Sequence, residues 1–221
     1  MFRFLSILGV SGAISTAALA SFEMLLVADN GANTTPTRRI HRFDPDSGVY
    51  LGAFGNFSSD IRAMSIRQGR NEAYVLSGST VFVFDYNTGA LKKDYSGWTF
   101  ADIAFSQDDQ SFYGVSNNLI YKTSTAAIDA GTFVPSIWVA EAGTTQITSV
   151  SVTASNVVMT GQIRAGSAFE YRYDGAIGGV GSTSTSYSAG VTLGASENLI
   201  GAGAIQAYTF SGFGRASRYT A

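Results

Sequence analysis

His41 is the chain's one histidine and sits in Arg39-Ile40-His41-Arg42-Phe43, where alternation places it on a face with Arg39 and Phe43. An imidazole that titrates near neutral pH is a candidate general base. No serine or carboxylate is tied to it by a motif, so the pattern reads as an ordinary strand residue. Asp44-x-Asp46-x-Gly48 opens like a calcium loop, but the twelfth position, where a carboxylate would close the cage, is Gly55. The related run at Asp85 carries Asn87 in place of the second acid. Both read as turns; for a calcium ion, Asp29, Asp60 and Asp102 are better placed. The glycines of Gly175-Ala176-Ile177-Gly178-Gly179-Val180-Gly181 have the composition of a phosphate loop. No strand-to-helix context surrounds them and no lysine follows, so 175–188 reads as a flexible linker. No catalytic residue, metal or cofactor is assigned.

Composition narrows the remaining chemistry. The 221 residues include no cysteine, which removes disulfides, thiolate metal sites and a cysteine nucleophile. A single histidine removes any multi-histidine metal cage. The 14 Lys+Arg and 16 Asp+Glu leave a charge of −2 with no basic stripe, so nucleic acid is not an expected partner. With 45% hydrophobic residues the chain can build a real core.

The first residues read as an address. Met1-Phe2-Arg3 carries one positive charge, 4–20 carries none, and Ala18-Leu19-Ala20 before Ser21 is a small-x-small cleavage pattern. Residues 1–20 are therefore expected to be a signal peptide and 21–221 a secreted or periplasmic domain. No later segment is apolar enough to span a membrane as a helix.

The elements that position any site are short strands. Phe43-Asp44-Pro45-Asp46-Ser47-Gly48 returns 41 residues later as Phe84-Asp85-Tyr86-Asn87-Thr88-Gly89. In each, Asp can accept N–H bonds across a turn and Gly supplies the positive φ that re-enters a strand. A second unit, Met64-Ser65-Ile66, a polar turn, then Ala73-Tyr74-Val75, recurs at Ile103-Ala104-Phe105 with Phe112-Tyr113-Gly114. It returns at Val150-Ser151-Val152 with Val157-Val158-Met159, and at Gly190–Leu193 with Leu199-Ile200 after a turn over 194–198. With the opening strand Met24-Leu25-Leu26-Val27 as the same element without a preceding partner, these make five units of about 40 residues, each with room for four strands, and predict an all-β fold, a small β-propeller of about five four-stranded blades. The first unit lacks its first strand, so the C-terminus supplies it or the ring stays incompletely closed. The short helical stretch near 125–130 carries no weight in this reading.

In such a propeller two sets of loops line one mouth, 56–61, 96–102, 141–148 and 187–190 together with 29–38, 77–80, 116–118 and 161–166. They bring Asp60, Arg62, Trp98, Asp102, Asn117, Gln146 and Arg164 toward it. An aromatic beside carboxylates and amides has the composition of a polar-ligand or glycan site. A Trp at a blade edge, as Trp98 is, more often packs between blades, and Trp138 reads as core.

Glu72-Ala73-Tyr74-Val75-Leu76, Val81-Phe82-Val83-Phe84-Asp85 with Thr88-Gly89, and 103–113 resemble the YVTN-repeat and lactonase-like β-propellers of secreted bacterial proteins. The resemblance implies a fold and carries no catalytic signature. It leads to the expectation of a non-enzymatic exported binding or scaffold module for protein or glycan. The alternatives are a lactonase- or lyase-like enzyme with its site at the mouth, and a truncated propeller without independent activity.

Overall fold

The computed structural model describes residues 24–29, 38–44, 46–152, 156–164, 167–174, 180–187, 194–195, 206–210 and 216–220. The expected signal peptide over 1–20 lies outside them. The chain divides into two compact units, Met1–Phe57 and Ser58–Ala221.

The first unit is a three-stranded antiparallel sheet of β1 (Leu25–Asp29), β2 (Arg38–Phe43) and β3 (Tyr50–Phe57), in that order. Ile40, Phe54 and Phe57 are buried on one face, with the Arg42 guanidinium 5.8 Å over the Phe54 ring. The turn into β3 is the one the sequence implied. Asp44 Oδ1 accepts the N–H groups of Asp46 and Ser47 at 3.0 and 2.8 Å, and Gly48 takes φ +69°.

The second unit repeats a four-stranded meander. Its first blade is β4 (Ile61–Arg67), β5 (Glu72–Ser77), β6 (Thr80–Asp85) and β7 (Leu91–Ser96). The next is β8 (Asp102–Phe105), β9 (Ser111–Ser116), β10 (Leu119–Ser124) and β11 (Ser136–Ala140), with a short helix α1 (Thr125–Asp129) between the last two. The third is β12 (Gln146–Val152), β13 (Val157–Arg164), β14 (Ser167–Asp174) and β15 (Val180–Tyr187). A three-stranded sheet follows, of β16 (Gly194–Ala195), β17 (Gln206–Phe210) and β18 (Ala216–Thr220).

First strands of successive blades lie side by side, β4 by β8, β8 by β12 and β12 by β16. Burial falls outward along the first two blades of this unit: β5 is buried almost throughout, whereas β7 (Leu91-Lys92-Lys93-Asp94-Tyr95-Ser96) is mostly exposed. That gradient is why the middle strands read as continuous apolar runs and the outer ones as charged. Consecutive residues of β9 serve opposite neighbours. Phe112 packs with Tyr74, Leu76 and Phe100 against the preceding blade, while Tyr113 and Val115 join Val150, Val158 and Tyr173 of the following one. A blade cannot bury both faces by itself, and stacking supplies the missing half of each core. Gly114, between them, is needed for closeness: an added Cβ would stand 2.8 Å from the Phe100 ring.

The second-strand residues aligned from the sequence, Tyr74, Tyr113 and Val158, are all buried. The hairpins before those strands each hold one non-glycine residue in the left-handed region, Asn71, Asp109 and Asn156. Asn and Asp tolerate that conformation because their side chains hydrogen-bond locally.

The structure departs from the sequence reading in several places. The first sheet has the three strands that its missing first strand implied, and the last sheet, read as a four-stranded unit, has three among the described residues. Residues 180–187, read as part of a linker, form β15, with Glu170 opposite Thr185. Ser and Thr alternate there in Val180-Gly181-Ser182-Thr183-Ser184-Thr185-Ser186-Tyr187, and a polar edge strand is easily mistaken for a linker. Gly194 and Ala195, placed in a turn, pair as β16, and the flanking 190–193 and 196–205 lie outside the described residues. Helix α1, discounted as too short, begins on Ser124, whose Oγ accepts the Ala127 N–H, and carries Asp129 into the main ionic cluster.

Candidate functional site

The end of the blades where β4, β8 and β12 begin holds Asp60, Arg62, Trp98, Asp102, Asn117, Gln146 and Arg164. Hydrogen bonds tie most of them into two local groups with Asp102 as a separate bridge. In the first group, Arg62 Nη2 donates to the carbonyl of Gly78 in the β5–β6 turn. The Trp98 N–H donates to Ser79 O of the same turn at 3.0 Å. The Trp98 ring turns inward, stacked on Phe100 at 5.2 Å and edge-on to Phe133 at 5.7 Å. Its ring packs between blades. Asp60 stands exposed in the loop entering β4.

Asp102 opens β8. Its carboxylate accepts the N–H of Ile103 and, from the neighbouring first strand, the N–H of Val150, each at 2.9 Å. A second side chain bridges first strands in the same manner, Ser65 Oγ of β4 accepting the Phe105 N–H of β8 at 3.2 Å. Burial pushes the Asp102 carboxyl up to about 7, and the two N–H donors only partly offset the loss of water.

The second group surrounds the loop between β11 and β12. Asn117 sits exposed at φ +53° in the β9–β10 turn, and its carbonyl accepts the Ile147 N–H. Gln146 opens β12, exposed and opposite Ile163. Arg164 closes β13, donating through Nη2 to Glu141 Oε2 at 2.9 Å and through Nε to Thr144 Oγ1 at 2.8 Å. Behind it lie polar residues that the sequence did not mark. Glu141 Oε1 accepts the Tyr173 hydroxyl at 2.9 Å, and Thr144 Oγ1 donates to Gln162 Oε1 at 2.7 Å. Gln162 Nε2 donates to Tyr173 Oη and to Thr160 Oγ1. Burial, then the bond to Glu141, pushes the Tyr173 phenol above its ordinary range. This chain of bonds joins the β11–β12 loop to β13 and β14 and leaves its buried atoms satisfied, as a buried polar network must be.

At the opposite end of the strands Arg67, 3% exposed, closes β4. Its Nε donates to Asp109 of the β8–β9 turn at 2.6 Å, and its Nη1 to Asp129 of α1 at 2.6 Å. Burial opposes the charge, but the bonds to Asp129 and Asp109 outweigh it and hold Arg67 above the usual arginine range. Asp129 is in turn held below the usual carboxylate range by Arg67. The only signal for this cluster was phase: Ile61, Ser65 and Arg67 fall on one buried face of β4.

His41 has partners that no motif showed. Its Nε2 lies 3.5 Å from Asp29 Oδ2 and its Nδ1 3.4 Å from Tyr50 Oη. Among the described residues no group of three or more His, Cys, Asp and Glu side chains is placed to hold a metal ion. No helix among them is long and apolar enough to cross a membrane.

Antiparallel blades stacked by side-by-side first strands define an all-β, propeller-type protein. No family model matches the chain, and no curated protein matches it. Among solved structures it is similar to a chain in the crystal structure of a mitotic checkpoint complex, with a TM-score of 0.55 and 13% identity. The likeness covers 90% of this chain and 57% of that one. At that identity it carries the fold alone.

Proposed function

We propose that the chain is an exported, non-enzymatic β-propeller of the YVTN-repeat and lactonase-like kind that binds a protein partner at the blade end carrying Asp60, Asn117 and Gln146. The observation that supports this most is how the ionic groups there are used. Arg164 is spent on Glu141 and Thr144, and Asp102 on the Val150 N–H, so they hold blades together. Asp60, Asn117 and Gln146 are exposed at that end of the frame, a surface suited to contact. The similar chain was solved within a mitotic checkpoint complex, which fits a protein partner.

The test is affinity capture with the wild-type chain beside the triple variant D60A/N117A/Q146A. A partner retained by the first and lost by the second supports the reading, and identical captures overturn it. Export is tested separately by N-terminal sequencing of secreted protein, expected to begin at Ser21. One observation favours an enzyme as the second reading: an enclosed carboxyl near 7 at Asp102 suits a general base. On that reading D102N abolishes turnover of a lactone panel, whereas the binding reading expects no turnover by the wild type.

A further inference from the structure

Blades fan out from their side-by-side first strands, so the gap between the blade of β4–β7 and the blade of β8–β11 widens outward. Rings line that gap. Register sets Lys93 and Tyr95 of β7 opposite the buried Val83 and Val81, and Tyr121 of β10 opposite Gly114 and Ile137, so these side chains face it from its two walls. Phe133, on the loop after α1, forms the floor. Tyr95 lies flat on it at 4.5 Å and 18°, while Trp98 stands across it at 88° and across Tyr121 at 75°. The upright indole makes a ridge between flatter rings, and the outer rim is apolar, with Ile137 57% and Val134 66% exposed.

The polar tips of these rings are open. The Trp98 Nε1–H and the Tyr95 and Tyr121 hydroxyls have no hydrogen-bond partner among the described residues, and none of the three atoms is enclosed. Tyr and Trp find partners for those atoms where they are buried, so these three are left for a ligand. The carboxylates that act on the Tyr95 phenol, Glu72 and Asp129, are spent on Lys92 and on Arg67 with Arg70. Lys93 is exposed and has no ion pair among the described residues.

We infer that this gap binds a proline-rich segment in the polyproline II conformation, flanked by acidic residues. Such a segment packs pyrrolidine rings on aromatic side chains and brings carbonyls without N–H groups at its prolines. The gap answers with rings, with an indole N–H that only donates, and with two phenols. Lys93 complements the acidic flank. A sugar fits less well, because its hydroxyl protons need acceptors and these side chains include no carboxylate or amide. None of Asp60, Asn117 and Gln146 is part of the gap, so this reading and the proposed blade-end site can fail separately.

Isothermal titration of the full chain with octaproline-Glu-Glu tests it, beside octaproline-Lys-Lys, a Gly-Ser chain ending in Glu-Glu, and cellohexaose. The wild type takes up octaproline-Glu-Glu saturably, with a dissociation constant under about 1 mM, and binds neither the Gly-Ser chain nor cellohexaose. Tyr95→Phe, Trp98→Phe and Tyr121→Phe combined keep aromatic rings, remove the donors and weaken the peptide by about tenfold or more. Lys93→Glu, at an exposed position, reverses the preference between the acidic and basic peptides. D60A/N117A/Q146A leaves the affinity unchanged. Thermal melts at the wild-type temperature show that the variants are folded, and Lys93→Glu carries the test alone if the triple phenylalanine variant melts early. No uptake of octaproline-Glu-Glu, equal affinity in the folded triple phenylalanine variant, an unchanged preference in Lys93→Glu, or cellohexaose bound in the peptide's place overturns the inference.

Discussion

The Asp102 carboxylate and the Val150 N–H, 2.9 Å apart, join the first strand of one blade to the first strand of the next. Enclosure of that carboxyl raises it to about 7 from an ordinary 3.8. The native state therefore holds a proton that the unfolded chain has released between those values, and stability falls as pH rises through that window. D102N removes the titration. In urea melts at pH 4.5 and pH 8, wild type loses a few kcal/mol more than D102N over that interval. Asp44, Asp85, Asp108 and Asp129 lie below their ordinary range and give the opposite slope at acid pH, but they are common to both proteins and cancel in the comparison. Parallel stability curves for the two proteins would contradict this assignment.

Arg67 ties its blade to the next through Asp109 and Asp129. R67A takes the Arg67 guanidinium from Asp109 and leaves Asp129 with Arg70, and costs about 1.5–3 kcal/mol in chemical denaturation. R67M keeps the stem's packing over the Phe105 ring, which the guanidinium now covers at 5.9 Å, and costs less than R67A. Equal losses would mean the ionic contacts carry all of the effect.

Close approach at Gly114 makes a different prediction. G114A drives a methyl group into the Phe100 ring and costs about 1–3 kcal/mol by overpacking. F100L in the same chain recovers part of that loss, since the clash is with one ring. A double variant no better than G114A alone would show that the backbone, and not Phe100, resists the methyl.

At Gly48 the space is open and only the conformation matters, with φ +69° and no atom within 4 Å of an added Cβ. G48A costs about 1 kcal/mol, whereas G48N is nearly neutral because Asn tolerates the left-handed region. Thermal melts of the two variants separate these outcomes.

The repeat was legible because its signals are local. Asp85, Thr88 and Gly89 fall within five residues, and their bonds follow from turn chemistry: the Thr88 N–H reaches Asp85 Oδ1 at 2.9 Å, and Gly89 takes φ +77°. Tyr74 and Tyr113 were visible as the buried centres of apolar strands for the same reason. The ionic clusters were not legible. Arg67 and Asp129 are 62 residues apart and meet only because stacked blades bring a strand end under a helix. Glu141, Tyr173 and Arg164 meet by the same stacking. His41 found its partners through strand register and through a shift between Arg42 and Phe43 that sets Tyr50 opposite Phe43. β15 was missed because a polar edge strand lacks the apolar alternation that marks a buried one.

Amide hydrogen exchange at Val150 tests the stacking of first strands most directly. Its N–H points away from its own sheet and is held by Asp102 of the neighbouring blade. The amide is protected in the wild type, and D102A accelerates its exchange by about tenfold or more, while amides within the β12–β13 ladder keep their protection. Fast exchange at Val150 in the wild type, or protection untouched by D102A, would contradict the account.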